Sequence, residues 1–297
     1  MEIVIKDIIK TYDQKTVLNK LNFEIRSGQF FTLAGANGAG KSTLIDIILN
    51  RIEASSGTVL VNGNVVRDYH LFKDVGVVFQ NNVLDKQLSV YQNVLIRAQM
   101  HYSRKEAYKH TQMWLDKLEL LDVKRTRYGK LSGGERRKVD LVVSLIGSPK
   151  LLIMDEPTTG IDVQSREQIW NCINEIQQQQ KMTILLTTHY LEEAEQSDYM
   201  IILNHGDIVA SGTPYDLKQQ YVRKECYLYT DNLEYLQQKL TNDGISCHID
   251  KDKIVVYSNH NSECISMLKR YQNDYQDFEV ILGSLEKAFM NIMKEDN

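Results

Sequence analysis

The stretch Gly35-Ala36-Asn37-Gly38-Ala39-Gly40-Lys41-Ser42-Thr43 limits what this chain can fold into more than any other. It fits G-x-x-x-x-G-K-[ST], the form of a phosphate-cradling loop. Its context agrees. Phe30–Ala34 reads as a buried strand feeding the loop, and Leu44, Ile45, Ile48 and Leu49 share one apolar face of a helix over Lys41–Asn50. Glycine has no Cβ, so backbone N–H groups at such a turn can converge on phosphate oxygens. The helix N-terminus adds the positive end of its dipole. Lys41 supplies a point charge for β- and γ-phosphates, and Ser42 a hydroxyl for Mg²⁺.

The rest of the chain reads as two regions. Met1–Ile9 and Leu21–Ile25 look like edge strands, with further strands at Thr58–Val61 and Gly76–Phe79. Residues 83–127 are helical in pattern. A helix follows Leu131, then a strand at Leu151–Met154, a helix at Ser165–Gln180 and a strand at Thr183–Thr187. This alternation predicts an α/β fold with a parallel sheet covered on both faces. Gly212-Thr213-Pro214 marks a break. Beyond it we expect a strand at Tyr227–Thr230, a helix at Asn232–Asp243, and a hairpin of Ile245–Ile249 with Lys253–Tyr257. A helix at Glu263–Tyr271, a strand at Phe278–Leu282 and an amphipathic helix at Leu285–Lys294 complete it. The expected domains are residues 1–214, with a helical subdomain over about 83–145, and a small α+β domain over 215–297.

Two more motifs carry chemistry. In Leu151-Leu152-Ile153-Met154-Asp155-Glu156 four apolar residues bury a strand, and two carboxylates emerge at its end, where doubly wound sheets bind ligands. Asp155 suits a metal shell, and Glu156 is placed to polarise an attacking water. In Leu131-Ser132-Gly133-Gly134-Glu135, Ser132 fits an N-cap with Glu135 three residues on, a capping box. That makes a second anion-binding helix N-terminus, and one triphosphate does not need two from one chain.

With these residues in this order, the chain resembles an ABC transporter ATPase over roughly residues 1–214. The resemblance implies a P-loop ABC ATPase domain with ATP and Mg²⁺ as ligands. It assigns Tyr12 to adenine stacking and Asn37, Gly38, Ala39, Gly40, Lys41, Ser42 and Thr43 to the phosphates. Gln80, in Val77-Val78-Phe79-Gln80, matches the glutamine loop that touches Mg²⁺ with Ser42 and Asp155. Ser132, Gly133 and Gly134 match the family signature, Asp162 the loop crossing the dimer interface, Glu156 the catalytic glutamate and His189 the switch histidine. Glu135 departs from the family, which has Gln there. The implied assembly is a head-to-tail pair, either a homodimer or a pairing with a paralogue, docked on a multi-pass membrane permease at the cytoplasmic face.

A looser resemblance, carried by Gly206–Pro214 and Gly283–Phe289, is to drug- and peptide-exporting ABC ATPases with a small C-terminal domain, amphipathic-peptide toxin exporters among them. Alternatives are a soluble non-transport ABC ATPase, usually with two nucleotide modules or a coiled-coil insertion, and a regulatory module without turnover, which would lack Glu156 or His189. A formal net charge of −4 argues against a nucleic-acid partner. No run reaches the roughly 18 apolar residues of a membrane span, and Met-Glu-Ile-Val-Ile does not open like a signal peptide. Cys172, Cys226, Cys247 and Cys264 form no C-x-x-C pair, so reduced thiols are expected.

Overall fold

The computed structural model describes residues 1–66, 73–258, 261–281 and 283–295. They divide into two compact units, Met1–Ser211 and Gly212–Asn297. The first unit runs β1 (Ile3–Tyr12), β2 (Lys15–Ile25), β3 (Phe30–Gly35), α1 (Lys41–Ile48), β4 (Ser56–Val61), β5 (Asn64–Val65) and β6 (Val75–Val78). It continues through α2 (Val90–Gln99), α3 (Arg104–Lys117), α4 (Gly133–Leu145), β7 (Leu151–Asp155), α5 (Val163–Gln180), β8 (Thr183–Thr188), α6 (Leu191–Ala194), β9 (Tyr199–Asn204) and β10 (Asp207–Gly212).

The most apolar stretches form the middle of a six-stranded sheet ordered β10-β9-β3-β8-β7-β6. β3, β7 and β8 are buried at every position, as strands covered on both faces must be. β3 pairs in parallel with β8 and β9, and β7 with β6 and β8. Alternate residues face opposite layers. Phe30, Leu152, Met154, Ile184 and Leu186 pack with the buried faces of α2 to α5. Phe31, Leu33, Ile153, Leu185 and Ile201 pack with α1, β1, β2 and β4.

The predicted edge strands are corrected here. β1 and β2 do not edge the parallel sheet but belong to a separate antiparallel sheet, β2-β1-β4-β5, in which β1 is interior. Both also run further than predicted, meeting across Asp13, which takes a left-handed φ of 51°. Their extensions are mostly polar, with Leu18 the one fully buried residue among them, so hydrophobic alternation did not reveal them.

The second unit holds α7 (Pro214–Tyr221), β11 (Lys224–Tyr229), α8 (Leu233–Asn242), β12 (Cys247–Asp250), β13 (Lys253–Ser258), α9 (Asn261–Arg270), β14 (Asp277–Ile281) and α10 (Leu285–Glu295). The sheet order is β12-β13-β11-β14, with the predicted hairpin in register from Asp250 opposite Lys253. Leu282, the predicted last residue of β14, lies outside the described residues. Cys226, Leu228, Leu236, Leu240, Ile254, Val256 and Tyr271 form the core. The sequence reading passed over α7. Thr213 caps this helix and Pro214 is its first residue, so Gly212-Thr213-Pro214 opens the second unit instead of closing the first. The apolar stripe of α10 buries Leu285 and Ile292 and packs on α7 within the unit. All four cysteines are free, and burial pushes the Cys226 thiol up to about 12.

Candidate functional site

β3 ends at the glycine-rich loop and α1 begins beyond it. Gly40 stands at the N-cap of α1 with φ 109° and offers no side chain to its first-turn N–H groups. By contrast, capping boxes close the N-termini of α2, α3, α4 and α7. A Cβ at Gly40 would come 2.6 Å from Leu18 Cδ2, so both the backbone angle and the space demand glycine. The loop opens onto a cleft of about 580 Å³ lined by Val17, Asn37, Gly38, Gly40, Lys41, Ser42, Thr43, Gln80, Glu156, Thr159 and His189.

Glu156 is the centre of the cleft's polar chemistry. Its Oε2 accepts from Gln80 Nε2 at 3.1 Å and lies 3.4 Å from His189 Nδ1. Lys41 Nζ is 3.8 Å from its Oε1 and donates to the Gly35 and Ala36 carbonyls at 2.8 and 3.1 Å. Burial lowers the Lys41 pKa, while Glu156 and Asp155 pull it back up. Glu156 also has φ 47°, a left-handed conformation that costs a non-glycine residue about 1 kcal/mol or more. Its surroundings hold it there. The Glu156 N–H bonds to the Thr187 carbonyl at 3.0 Å, and its own carbonyl accepts from Arg137 Nη2 at 2.8 Å. Asp155, at the end of β7, is buried and accepts a hydrogen bond from Thr187 Oγ1.

The residues 18–159 match the family described as ABC transporter. The first unit has the ABC ATPase fold. Solved structures agree. The cassette is similar to dimeric MJ0796, a bacterial ABC transporter cassette, at 26% identity and TM-score 0.66 over 71% of this chain and 98% of that one. A dimeric post-hydrolysis state of the ATP-binding cassette MJ0796, bound to ADP and Pi, matches at 25% identity with the same TM-score and coverage. The structure of cbiO1 from Clostridium perfringens, part of the ABC transporter complex cbiONQ, matches at 28% identity and TM-score 0.67, over 73% of this chain and 90% of that one.

Not every predicted residue of the cassette lines the cleft. Tyr12 is 46% exposed at the end of β1, with the Lys10 ammonium 4.8 Å from its ring centroid. The side chain of Ala39 is buried in the core, and its N–H bonds to the Ala36 carbonyl. Ser132 and Gly133 are exposed at the start of α4 and do not line the cleft. Ser132 Oγ accepts from the Glu135 N–H at 3.2 Å, and the Glu135 carboxylate accepts from the Ser132 N–H at 2.7 Å, so the family's Gln is replaced by a residue that completes a capping box. Gly134 is packed so tightly that a Cβ would lie 2.4 Å from Ser165 Oγ. Asp162 caps α5 by accepting from the Ser165 N–H at 2.8 Å, a bond that lowers its pKa.

Motif reading missed the groups behind the cleft. Asp140 on α4 is buried and accepts from Tyr128 Oη and Asn82 Nδ2. Arg137 lies one turn earlier, its guanidinium 3.9 Å from Asp140. The spacing of this opposite-charge pair was visible in the sequence, but Arg136-Arg137-Lys138 reads as a solvated face. Burial holds the Asp140 carboxyl above its ordinary 3.8, against the opposing pull of Tyr128, Asn82 and Arg137. The folded chain therefore keeps this proton more tightly than the unfolded one, and stability falls as pH rises from 3.8 through the raised value. Asp140→Asn has no such proton. Its unfolding temperature should gain on the wild type as pH rises across that window, and a gap constant with pH would contradict the assignment.

Proposed function

We propose that this cassette binds ATP against the glycine-rich loop, hydrolyses it at Glu156, and powers transport through a separate multi-pass membrane subunit. The observation that carries the reading is the meeting of Lys41, Gln80 and His189 around one carboxylate at the mouth of the loop. Residues 1–211 are the motor domain in this reading, and 212–297 an accessory domain. The N–H groups of the loop and of α1 cradle the phosphates, Lys41 offsets their charge, and Tyr12 stacks on the adenine. Glu156 polarises the attacking water, and His189 holds the γ-phosphate and the water in line.

The donor set fits Mg²⁺, a hard cation that keeps few protein ligands and leans on substrate phosphates. Among the described residues no group of three His, Cys, Asp or Glu could hold a metal. Ser42, Gln80 and Asp155 would hold the ion. Bound there, the ion would supply positive charge against the phosphate oxygens.

Ser132 to Gly134 and Asp162 serve a second copy or a paralogue. Each ATP then lies between the loop of one chain and the signature of its partner. The dimeric form of the MJ0796 cassette supports this pairing, and the membership of cbiO1 in a transporter complex supports a membrane partner. Among the described residues no helix is long and apolar enough to cross a membrane. In this reading the cassette sits at the cytoplasmic face, held by that partner. The narrower reading is an exporter of drugs or amphipathic peptides.

Two measurements test this. Purified protein should release phosphate from Mg-ATP with saturable kinetics. Extraction of its native membranes in mild detergent should bring a multi-pass membrane protein down with it. Turnover by the purified protein with no multi-pass membrane protein in the detergent extract would favour a non-transport ATPase.

A further inference from the structure

Arg137 is a residue that the motifs leave without a task. It is 5% exposed, and burial lowers its pKa against the pull of Asp140. Its guanidinium donates to three backbone carbonyls. Nη1 bonds to Phe79 O, Nη2 to Glu156 O at 2.8 Å, and Nε to Pro157 O. Phe79 immediately precedes Gln80, and the Gln80 side chain returns to the Glu156 carboxylate at 3.1 Å. The contacts therefore close a ring. One guanidinium fixes both backbones whose side chains meet in the cleft. The planar fork of arginine, with five N–H donors, can serve three acceptors in this way, which a lysine ammonium on its flexible stem cannot reproduce. The third side of the ring is α4, the helix that Ser132 caps. Asp140, one turn on, ties Asn82 to the same helix through a direct hydrogen bond.

We infer that Arg137 is a positioning residue, holding Glu156 in its left-handed conformation and the Gln80 segment in place against the signature helix. It does not line the cleft and acts through Glu156. The inference rests on the assignment of Glu156 to water activation. It predicts that losing the fork slows turnover with little change in how ATP is held, because Lys41, Ser42 and the loop are untouched.

The test is ATPase kinetics on the full chain for Arg137→Lys, Glu156→Gln and the double variant. Arg137→Lys should lower kcat about tenfold or more, with the KM for ATP within about threefold of wild type. In the double variant, kcat should stay within about twofold of Glu156→Gln alone, since two residues acting through one carboxylate are not additive. If Arg137→Lys does not unfold cooperatively on heating, Arg137→Gln, which brings no cation of its own into the buried site, replaces it. A kcat within about twofold of wild type, beside a slow Glu156→Gln, overturns the positioning role and leaves the site intact. Effects that multiply in the double variant also overturn it. Near-normal turnover in Glu156→Gln would instead reject the underlying assignment of the carboxylate.

Discussion

Glu156→Gln is expected to bind ATP normally and to hydrolyse it about 10²–10⁴-fold more slowly, the usual worth of a positioned base. The substitution is nearly isosteric, so the backbone bonds to Thr187 and Arg137 that hold the left-handed φ persist. What disappears is the carboxylate oxygen that faces Gln80 and His189. With binding intact and hydrolysis blocked, the ATP-bound pair should accumulate. Size-exclusion chromatography with and without Mg-ATP reads this directly, as a shift to the dimer in the variant that the wild type shows only transiently. A variant that turns over near the wild-type rate would remove Glu156 from the chemistry.

The second large effect lies in the shared site. Lys41→Ala removes a charge aimed at the phosphates, and losing one such preorganised group costs about 10²–10³-fold in rate. Ser132→Arg puts a bulky cation at the exposed start of α4, away from its own chain's cleft. Each variant alone should be nearly inactive. In an equal mixture, half of the pairs contain one chain of each kind. One composite site then has both lesions and the other has none, so about a quarter of the wild-type sites are restored. Recovery of phosphate release on mixing is the expected result. No recovery, or a Ser132→Arg chain with full activity alone, would reject a site built from two chains.

Both experiments target residues that short motifs already picked out, and there is a physical reason for that. The cradle is local. A strand, glycines at a turn and a helix N-terminus are neighbours in sequence, so their chemistry can be read from spacing alone. The same holds for the buried strand ending in Asp155-Glu156 and for the Ser132 capping box. The C-terminal hairpin was legible for a similar reason, because Asp250 to Lys253 is a short turn between alternating residues. Periodicity was weaker where strands are polar. Lys10–Tyr12 and Lys15–Lys20 extend β1 and β2 without an alternation that sequence could register.

The sequence by itself determined the α/β class and the glycine-rich loop between a buried strand and a helix, since each depends on groups a few positions apart. Only the tertiary structure decided how those residues are held. Arg137 is separated from Phe79 and Pro157 by 58 and 20 positions, yet its one guanidinium bonds to both. The Arg136-Arg137-Lys138 run carries no local sign of which cation turns inward. That depends on which carbonyls pack against α4, and on Asp140 lying beside them. The left-handed φ of Glu156 belongs to the same class, because an unfavourable backbone angle persists only where distant partners over-determine it.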